Sequence, residues 1–287
     1  INFSFTHDFR QNFIISYSYF FKSLFKRFMP VVTSYNSSRQ ASLLNQININ
    51  TNDSQLSLSW TNIKELRKWS RMQLGEAYFP VTLTDDEFMS LFEKRIQNNW
   101  NRIALNIDIT KPKKIVDIGS GVSTPDLLAS KFNPDAEFFL VDKAEFTRHT
   151  NGIYYQDVHG HYNSWSVVED CINSSGLDRN KFNFLDPNDN FPTDVDLILS
   201  TFSWCWHYPK ETYWNKVMSS LKVGGHLLVD VLNLPDRDVV KEISYEFNSI
   251  PTIVSRMKMD LHLDHFKGHL TVKDGHYGGL YLWTRYK

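Results

Sequence analysis

At 287 residues with 41% hydrophobic side chains, the chain can bury a full core, and it reads as one main domain with an N-terminal extension. A formal net charge of -1 gives no global electrostatic basis for binding nucleic acid. Two cysteines, Cys171 and Cys205, exclude a disulfide framework and a cysteine-rich zinc site, and the expected compartment is the cytoplasm.

Residues 1–60 read as an aromatic-rich extension followed by a polar linker. Phe9, Phe13, Tyr17, Phe20, Phe21, Phe25 and Phe28 interleave with Lys22, Lys26 and Arg27, much of it at helical spacing. A basic aromatic helix can lie on a membrane surface or pack on a protein. Packing is the expectation, on the chain itself or in a homo-oligomer, because no apolar run reaches the length of a transmembrane span. The basic residues follow the apolar part, the reverse of a signal peptide. From Thr33 to Asn62 the composition shifts to Ser, Asn and Gln, as in a loop or linker of low order. Residues 61–110 then carry two helix starts. Asn62 with Glu65, and Thr84 with Glu87, have the spacing of an N-cap and its reciprocal partner. Ile63, Leu66 and Trp69 follow the first, and Phe88, Leu91, Phe92, Arg95 and Trp100 the second.

Residues 111–287 begin with the most informative stretch, Lys113 to Asp142. Ile115, Val116 and Ile118 form a β-branched run suited to a strand buried on both faces. Gly119 and Gly121 allow a sharp turn and a close approach of ligand to backbone. Leu127, Leu128 and Phe132 fall at helical spacing behind Pro125, and Phe138 to Val141 make the next buried strand, closed by Asp142. This is one βαβ unit with an acid at its tip. A dinucleotide fingerprint would need a third small residue where Thr124 stands, and no Gly-Lys-Ser/Thr follows to make a phosphate loop.

The stretch resembles the first motif of class I S-adenosylmethionine-dependent methyltransferases, an acid, any residue, then Gly-x-Gly-x-Gly. Asp117, Gly119 and Gly121 match, and Ser123 replaces the third glycine. The resemblance implies a doubly wound, mostly parallel seven-stranded α/β sheet with an N-terminal helical extension. It implies S-adenosylmethionine as cofactor and S-adenosylhomocysteine as product. Asp117 would orient the methionine amino group, and Gly119, Ser120 and Gly121 would pass beneath the methionine and ribose. Asp142, with Lys143 beside it, would take the ribose hydroxyls, for which a carboxylate with two oxygens is suited. Asp186, at the end of a strand from Lys181 to Leu185, would receive the adenine amino group, with Phe184 and Leu185 as apolar alternatives. The leading helices would form a cap or lid, with Tyr78, Phe79 and Pro80 as its candidate segment.

The segment NGIYYQDVHGHYNSW is polar and aromatic, and it precedes a helix capped near Asn163 or Ser164. Tyr155 and His159 are candidate substrate contacts; x-His-x-His spacing at His159 and His161 does not make a metal site, and no metal is expected. After a strand from Val195 to Leu199 comes STFSWCWHYPKETY, which should face the methyl donor. Ser203-Trp204 with His207-Tyr208-Pro209 is similar to the corresponding segment of sugar O-methyltransferases of bacteria and phages. Ser200 and Thr201 are candidate cofactor contacts, and Trp204, Trp206 and Tyr208 can stack on an acceptor or anchor the loop in the core. His207 is the candidate base for a hydroxyl acceptor, the acceptor class implied being a sugar, a nucleotide sugar or another small molecule.

Glu211 to Leu221 reads as a helix, Gly224-Gly225 as the turn into a strand from His226 to Val231, and Pro235 as the opening of another helix. Strands near Thr252 to Met259 and Gly279 to Tyr286 would make an antiparallel hairpin at the sheet edge. Asp260, His262, Asp264 and His265 alternate with leucines and are not read as ligands. The rival readings are a noncatalytic SAM-binding regulatory protein, protein or nucleic-acid methylation, aminopropyl transfer, for which Ser200 and Thr201 stand where an acid is needed, and an NAD-dependent oxidoreductase, which Thr124 disfavours.

Overall fold

Seven strands pair into one sheet in the order β3-β2-β1-β4-β5-β7-β6. The computed structural model describes residues 57–74, 79–104, 106–143, 163–206, 208–232, 237–258 and 277–286. The strands are β1 (Lys114–Ile118), β2 (Glu137–Val141), β3 (Phe182–Leu185), β4 (Val195–Ser200), β5 (Leu221–Leu232), β6 (Thr252–Lys258) and β7 (Tyr277–Thr284). The first five are parallel, and β7 runs antiparallel between β5 and β6. This is the doubly wound α/β sheet with an antiparallel edge that the methyltransferase resemblance implies.

β1 lies at the centre because its side chains suit burial on both faces: Ile115, Val116 and Ile118 are fully buried, Ile115 in one core layer and Val116 and Ile118 in the other. Among the described residues, six α-helices flank the sheet: α1 (Ile63–Leu74), α2 (Asp85–Ala104), α3 (Thr124–Phe132), α4 (Trp165–Ser174), α5 (Glu211–Ser220) and α6 (Val239–Phe247). One layer joins Leu66 of α1 and Phe88, Phe92 and Trp100 of α2 to Leu127 and Leu128 of α3 and Val168 of α4. The other joins Trp214 and Val217 of α5 to Ile243 and Phe247 of α6 and Trp283 of β7. The leading helices therefore share a continuous core with the sheet.

Both expected helix starts are present. Asn62 Oδ1 accepts from the Glu65 amide, and Thr84 with Glu87 closes a reciprocal capping box in which each side chain accepts from the other's amide. Phe79, in the candidate lid segment, is buried against Phe88 and Phe92. Two readings need correction. Gly224 and Gly225 lie inside β5, not in a turn before it. Gly224 adopts φ +82°, and its amide donates to Arg285 O while Gly225 O accepts from the Arg285 amide, so the pair is a strand irregularity held from the far end of the chain. Helix α6 starts after Asp238, whose carboxylate accepts from the Lys241 amide, and not at Pro235.

The approach to β1 is fixed by one buried amide. Asn133, at the end of α3, donates through Nδ2 to Ile109 O at 3.0 Å and Pro112 O at 2.6 Å. Asn133→Ala would leave two buried carbonyls unsatisfied, so urea unfolding should show a loss of about 1–3 kcal/mol with ligand binding by the remaining folded protein unchanged.

Candidate functional site

In an open α/β sheet the ligand crevice lies beyond the strand carboxyl ends, where the strand order reverses. Here that point is between β1 and β4, which pair through Ile115, Val116 and Asp117 with Leu197, Ile198 and Leu199. The chain leaves β1 through Gly119 to Ser123 and leaves β4 through Thr201 to Trp206.

Sterics explain the first glycine. Gly119 has φ +74°, and a Cβ there would lie 1.8 Å from Ser203 Oγ, so the two loops meet with no room for a side chain. Gly121, at φ +56°, is faced by Trp69 of α1, whose Cζ2 would lie 2.7 Å from an added Cβ. Ser123 sits at φ 53°, so the place of the third glycine keeps the left-handed backbone that glycine adopts freely. The replacement thus preserves the loop conformation at a local conformational cost.

Three carboxyls surround this loop. Asp142 Oδ2 accepts from the Gly121 amide at 2.7 Å and Oδ1 from the Lys143 amide at 2.7 Å, which pins the tip of β2 to the loop. Burial raises its pKa to about 6 against the pull of those two amides. Asp117, on β1, and Asp126, in the first turn of α3, are both buried. Asp117 Oδ1, both Asp126 oxygens and the hydroxyls of Ser120 and Ser123 are buried without an assigned hydrogen-bond donor or acceptor. Burial, then the charge of Asp126, pushes Asp117 well above the carboxylate range; burial raises Asp126 to about 7. Unpartnered buried carboxyl oxygens below a glycine cradle fit a ligand that brings N–H donors and positive charge.

The β4 side is built differently. Ser200 Oγ donates to Ile118 O at 2.7 Å and accepts from the Trp204 amide at 2.9 Å, so this hydroxyl, expected to touch cofactor, is committed to the backbone. Trp204 takes the loop-anchoring alternative: it is fully buried, with Nε1 donating to Lys210 O at 3.0 Å, and has no face open to an acceptor. Lys210 is buried in turn and ion-pairs with Glu242 and Glu246 of α6. Phe202 and Cys205 both take positive φ, 55° and 60°. The Phe202 amide donates to Asp230 Oδ2 at 3.3 Å, Asp230 pairs with Arg102 of α2, and the Arg102 guanidinium lies 4.8 Å from the Phe202 ring centroid. Asn99 of α2 donates to Thr201 Oγ1 at 3.4 Å. The second leading helix therefore holds the strained turn after β4.

Trp206 and Tyr208 are partly exposed and flank position 207. His207, Tyr155 and His159 lie outside the described residues, as do Tyr78 and the histidine and aspartate positions from 260 to 265. Asp186 is exposed; its Oδ1 accepts from the Asn188 amide, and its own amide donates to Asp189 Oδ2. The Phe184 ring is taken up by Trp165, stacked at 4.6 Å, and by the Arg179 guanidinium at 4.3 Å. Sequence reasoning gave no role to Trp69, Asp126 or Tyr213. Tyr213 is buried on α5, with its hydroxyl pKa raised by burial and then by the charges of Asp142 and Asp186. A separate hollow of about 310 Å³ lies between residues 57–60 and α2, and none of the loop or strand-tip residues line it.

No protein-family model and no curated protein matches this sequence. Among solved structures, the chain is similar to residues 961–1257 of StiE O-MT, at 13% identity over 79% of this chain and 83% of that one, with a TM-score of 0.43. It is similar to precorrin-6y C5,15-methyltransferase from Geobacter metallireducens at 13% identity over 67% and 88%, TM-score 0.42. A third is the S-adenosylmethionine-dependent methyltransferase SibL, at 13% identity over 87% and 73%, TM-score 0.40.

The contact of Gly119 with Ser203 is directly testable. Gly119→Ala should destabilise the fold by about 2 kcal/mol or more, from overpacking and left-handed strain together. Ser203→Gly in the same chain should recover the steric part, giving a coupling of about 1 kcal/mol in a double-mutant cycle read by urea unfolding.

Proposed function

We propose that the protein is an S-adenosylmethionine-dependent methyltransferase acting on a hydroxyl of a small acceptor, with a sugar or nucleotide sugar as the leading class. The observation that carries this reading is the glycine cradle at the sheet's switch point, with buried acids on β1 and α3 and a further carboxylate at the β2 tip. When bound, S-adenosylmethionine supplies a methyl group on a sulfonium sulfur and leaves as S-adenosylhomocysteine.

The remaining work falls to the chain. Asp117 and Asp126 receive the cationic amino end, and Gly119, Ser120 and Gly121 let the backbone come close. Asp142 keeps acceptor capacity beyond its two amide contacts and takes the ribose hydroxyls, with Lys143 beside it. Asp186 faces the adenine amino group, and Thr201 borders the cofactor from β4. Alignment of acceptor and exclusion of water matter most in an in-line transfer. Trp206, Tyr208, Tyr155 and His159 are assigned to the acceptor, and His207 removes the hydroxyl proton. Support for the acceptor assignment comes from the sequence of the post-β4 segment and from the partial exposure of Trp206 and Tyr208 beside position 207.

Calorimetric titration should show micromolar binding of S-adenosylmethionine and S-adenosylhomocysteine and none of NAD. Asp142→Ala should weaken both by about tenfold or more, the equivalent of about 1.4 kcal/mol. Failure of both sulfur ligands to bind the parent protein would remove the reading. For the base, His207→Ala should keep S-adenosylhomocysteine affinity while slowing methyl transfer to a responsive nucleotide sugar by about 10²–10⁴-fold. Unchanged turnover would take the proton-removing role away from His207.

A further inference from the structure

Asp126 is placed where an acid is ordinary, in the first turn of a helix. Its surroundings are not ordinary. It is buried, and beyond its own amide and the Asp117 carboxyl neither of its oxygens has a hydrogen-bond partner among the described residues. The groups that act on the two acids are each other's carboxyl, the Asp142 carboxylate at the β2 tip, and the Asp126 amide at the start of α3; Trp69 of α1 and Ser203 after β4, which also meet the loop, bring no charge. No Lys, Arg or His among the described residues acts on either one. Two buried carboxyls within hydrogen-bonding reach of each other and without a counterion cannot both stay ionised. The arrangement is stable when a proton lies between them, donated by one carboxyl and accepted by the other.

The two acids bracket the glycine loop in the chain, and the hydroxyls of Ser120 and Ser123 within that loop are also buried without a hydrogen-bond partner among the described residues. A ligand ammonium brings a positive charge and three N–H donors to this place. We infer that Asp117 and Asp126 share one proton in the ligand-free protein and release it to solvent when the amino end of S-adenosylmethionine or S-adenosylhomocysteine arrives, so that Asp126 makes cofactor binding proton-linked. This rests on the cofactor reading above. Charge balances: one proton leaves, and one ammonium takes its place against two carboxylates. The site then holds the ligand most tightly once the proton is already gone.

The direction with pH follows from the elevated carboxyls. Burial pushes Asp126 up to about 7 from the ordinary 3.8, and Asp117 well above that ordinary value. From about pH 4 upward the folded state keeps protons that the unfolded chain has lost, because Asp117 as well as Asp126 is raised, so stability falls as pH rises through this window. Ligand affinity moves the opposite way and rises as pH approaches 7 from below.

The test uses S-adenosylhomocysteine, which carries the amino group and does not transfer methyl. Calorimetry at pH 6.5 in buffers of different ionisation enthalpy should show release of more than half a proton on average, and the dissociation constant should fall about tenfold between pH 6 and pH 7.5. Asp126→Asn keeps the shape and supplies a permanent N–H donor to Asp117. In this variant most of the proton release should vanish, and the affinity change should shrink to about twofold, the part left by Asp142. Without ligand, the same variant should be more stable than the parent at pH 7.5 and lose less stability between pH 4 and pH 7 in urea unfolding. Equal proton release in both proteins, with binding intact, would overturn the proposal and leave the cofactor reading standing. Absence of binding by the parent at every pH would overturn both.

Discussion

One hydroxyl holds the crevice together. Ser200 Oγ bridges the last carbonyl of β1 and the Trp204 amide, so it fixes the distance between the two strand tips and the path of the loop that leaves β4. Everything at the switch point depends on that distance. Ser203 can press on Gly119 only because the loop is drawn back toward β1, and the buried Trp204 forms the floor from which Trp206 and Tyr208 emerge. A residue without a donor and an acceptor on one atom cannot make both bonds, which explains why a small hydroxyl stands here rather than an acid.

Around that bridge the polar groups divide into two kinds. Those on the β4 side are paired throughout: Asp230 with Arg102 and the Phe202 amide, Lys210 with two glutamates, Trp204 with a carbonyl. They hold two left-handed residues that would otherwise relax. On the β1 side the acids and hydroxyls are left short of partners. Buried groups in that state oppose folding, so the protein gives up stability at the loop and recovers it in the paired network and the two apolar layers. The asymmetry separates a scaffold that shapes a loop from a surface that receives a ligand.

Much of this was legible in the residues. The β-branched run of β1, the glycines, the acid closing β2 and the two capping pairs all act through local geometry, and the structure has them in place. What escaped was long-range. Trp69 reads as one more apolar position of a helix, and only the fold brings it over Gly121. Asp126 reads as an acid favoured by a helix N-terminus, and its neighbour Asp117 is across a strand-to-helix turn. Ser200 and Trp204 lie in the predicted segment but face inward, because side chains after a strand alternate only while the strand lasts. Gly224 and Gly225 signal a change of direction, and whether that is a turn or an irregular strand is decided by Arg285, sixty residues later in the chain.

The order of the strands bears on how the molecule is made. β6 is translated before β7 but touches the sheet only through it, since β7 occupies the place between β5 and β6. Until residues 277–284 have emerged from the ribosome, the open edge of β5, from His226 to Leu232, has no neighbour, and the strand from Thr252 has nothing to pair with. The parallel half can form earlier from contacts among residues 114–232. Synthesis therefore passes through a stage in which an apolar strand edge waits for a segment still being translated, a stage in which pairing with another chain competes with completion of the sheet.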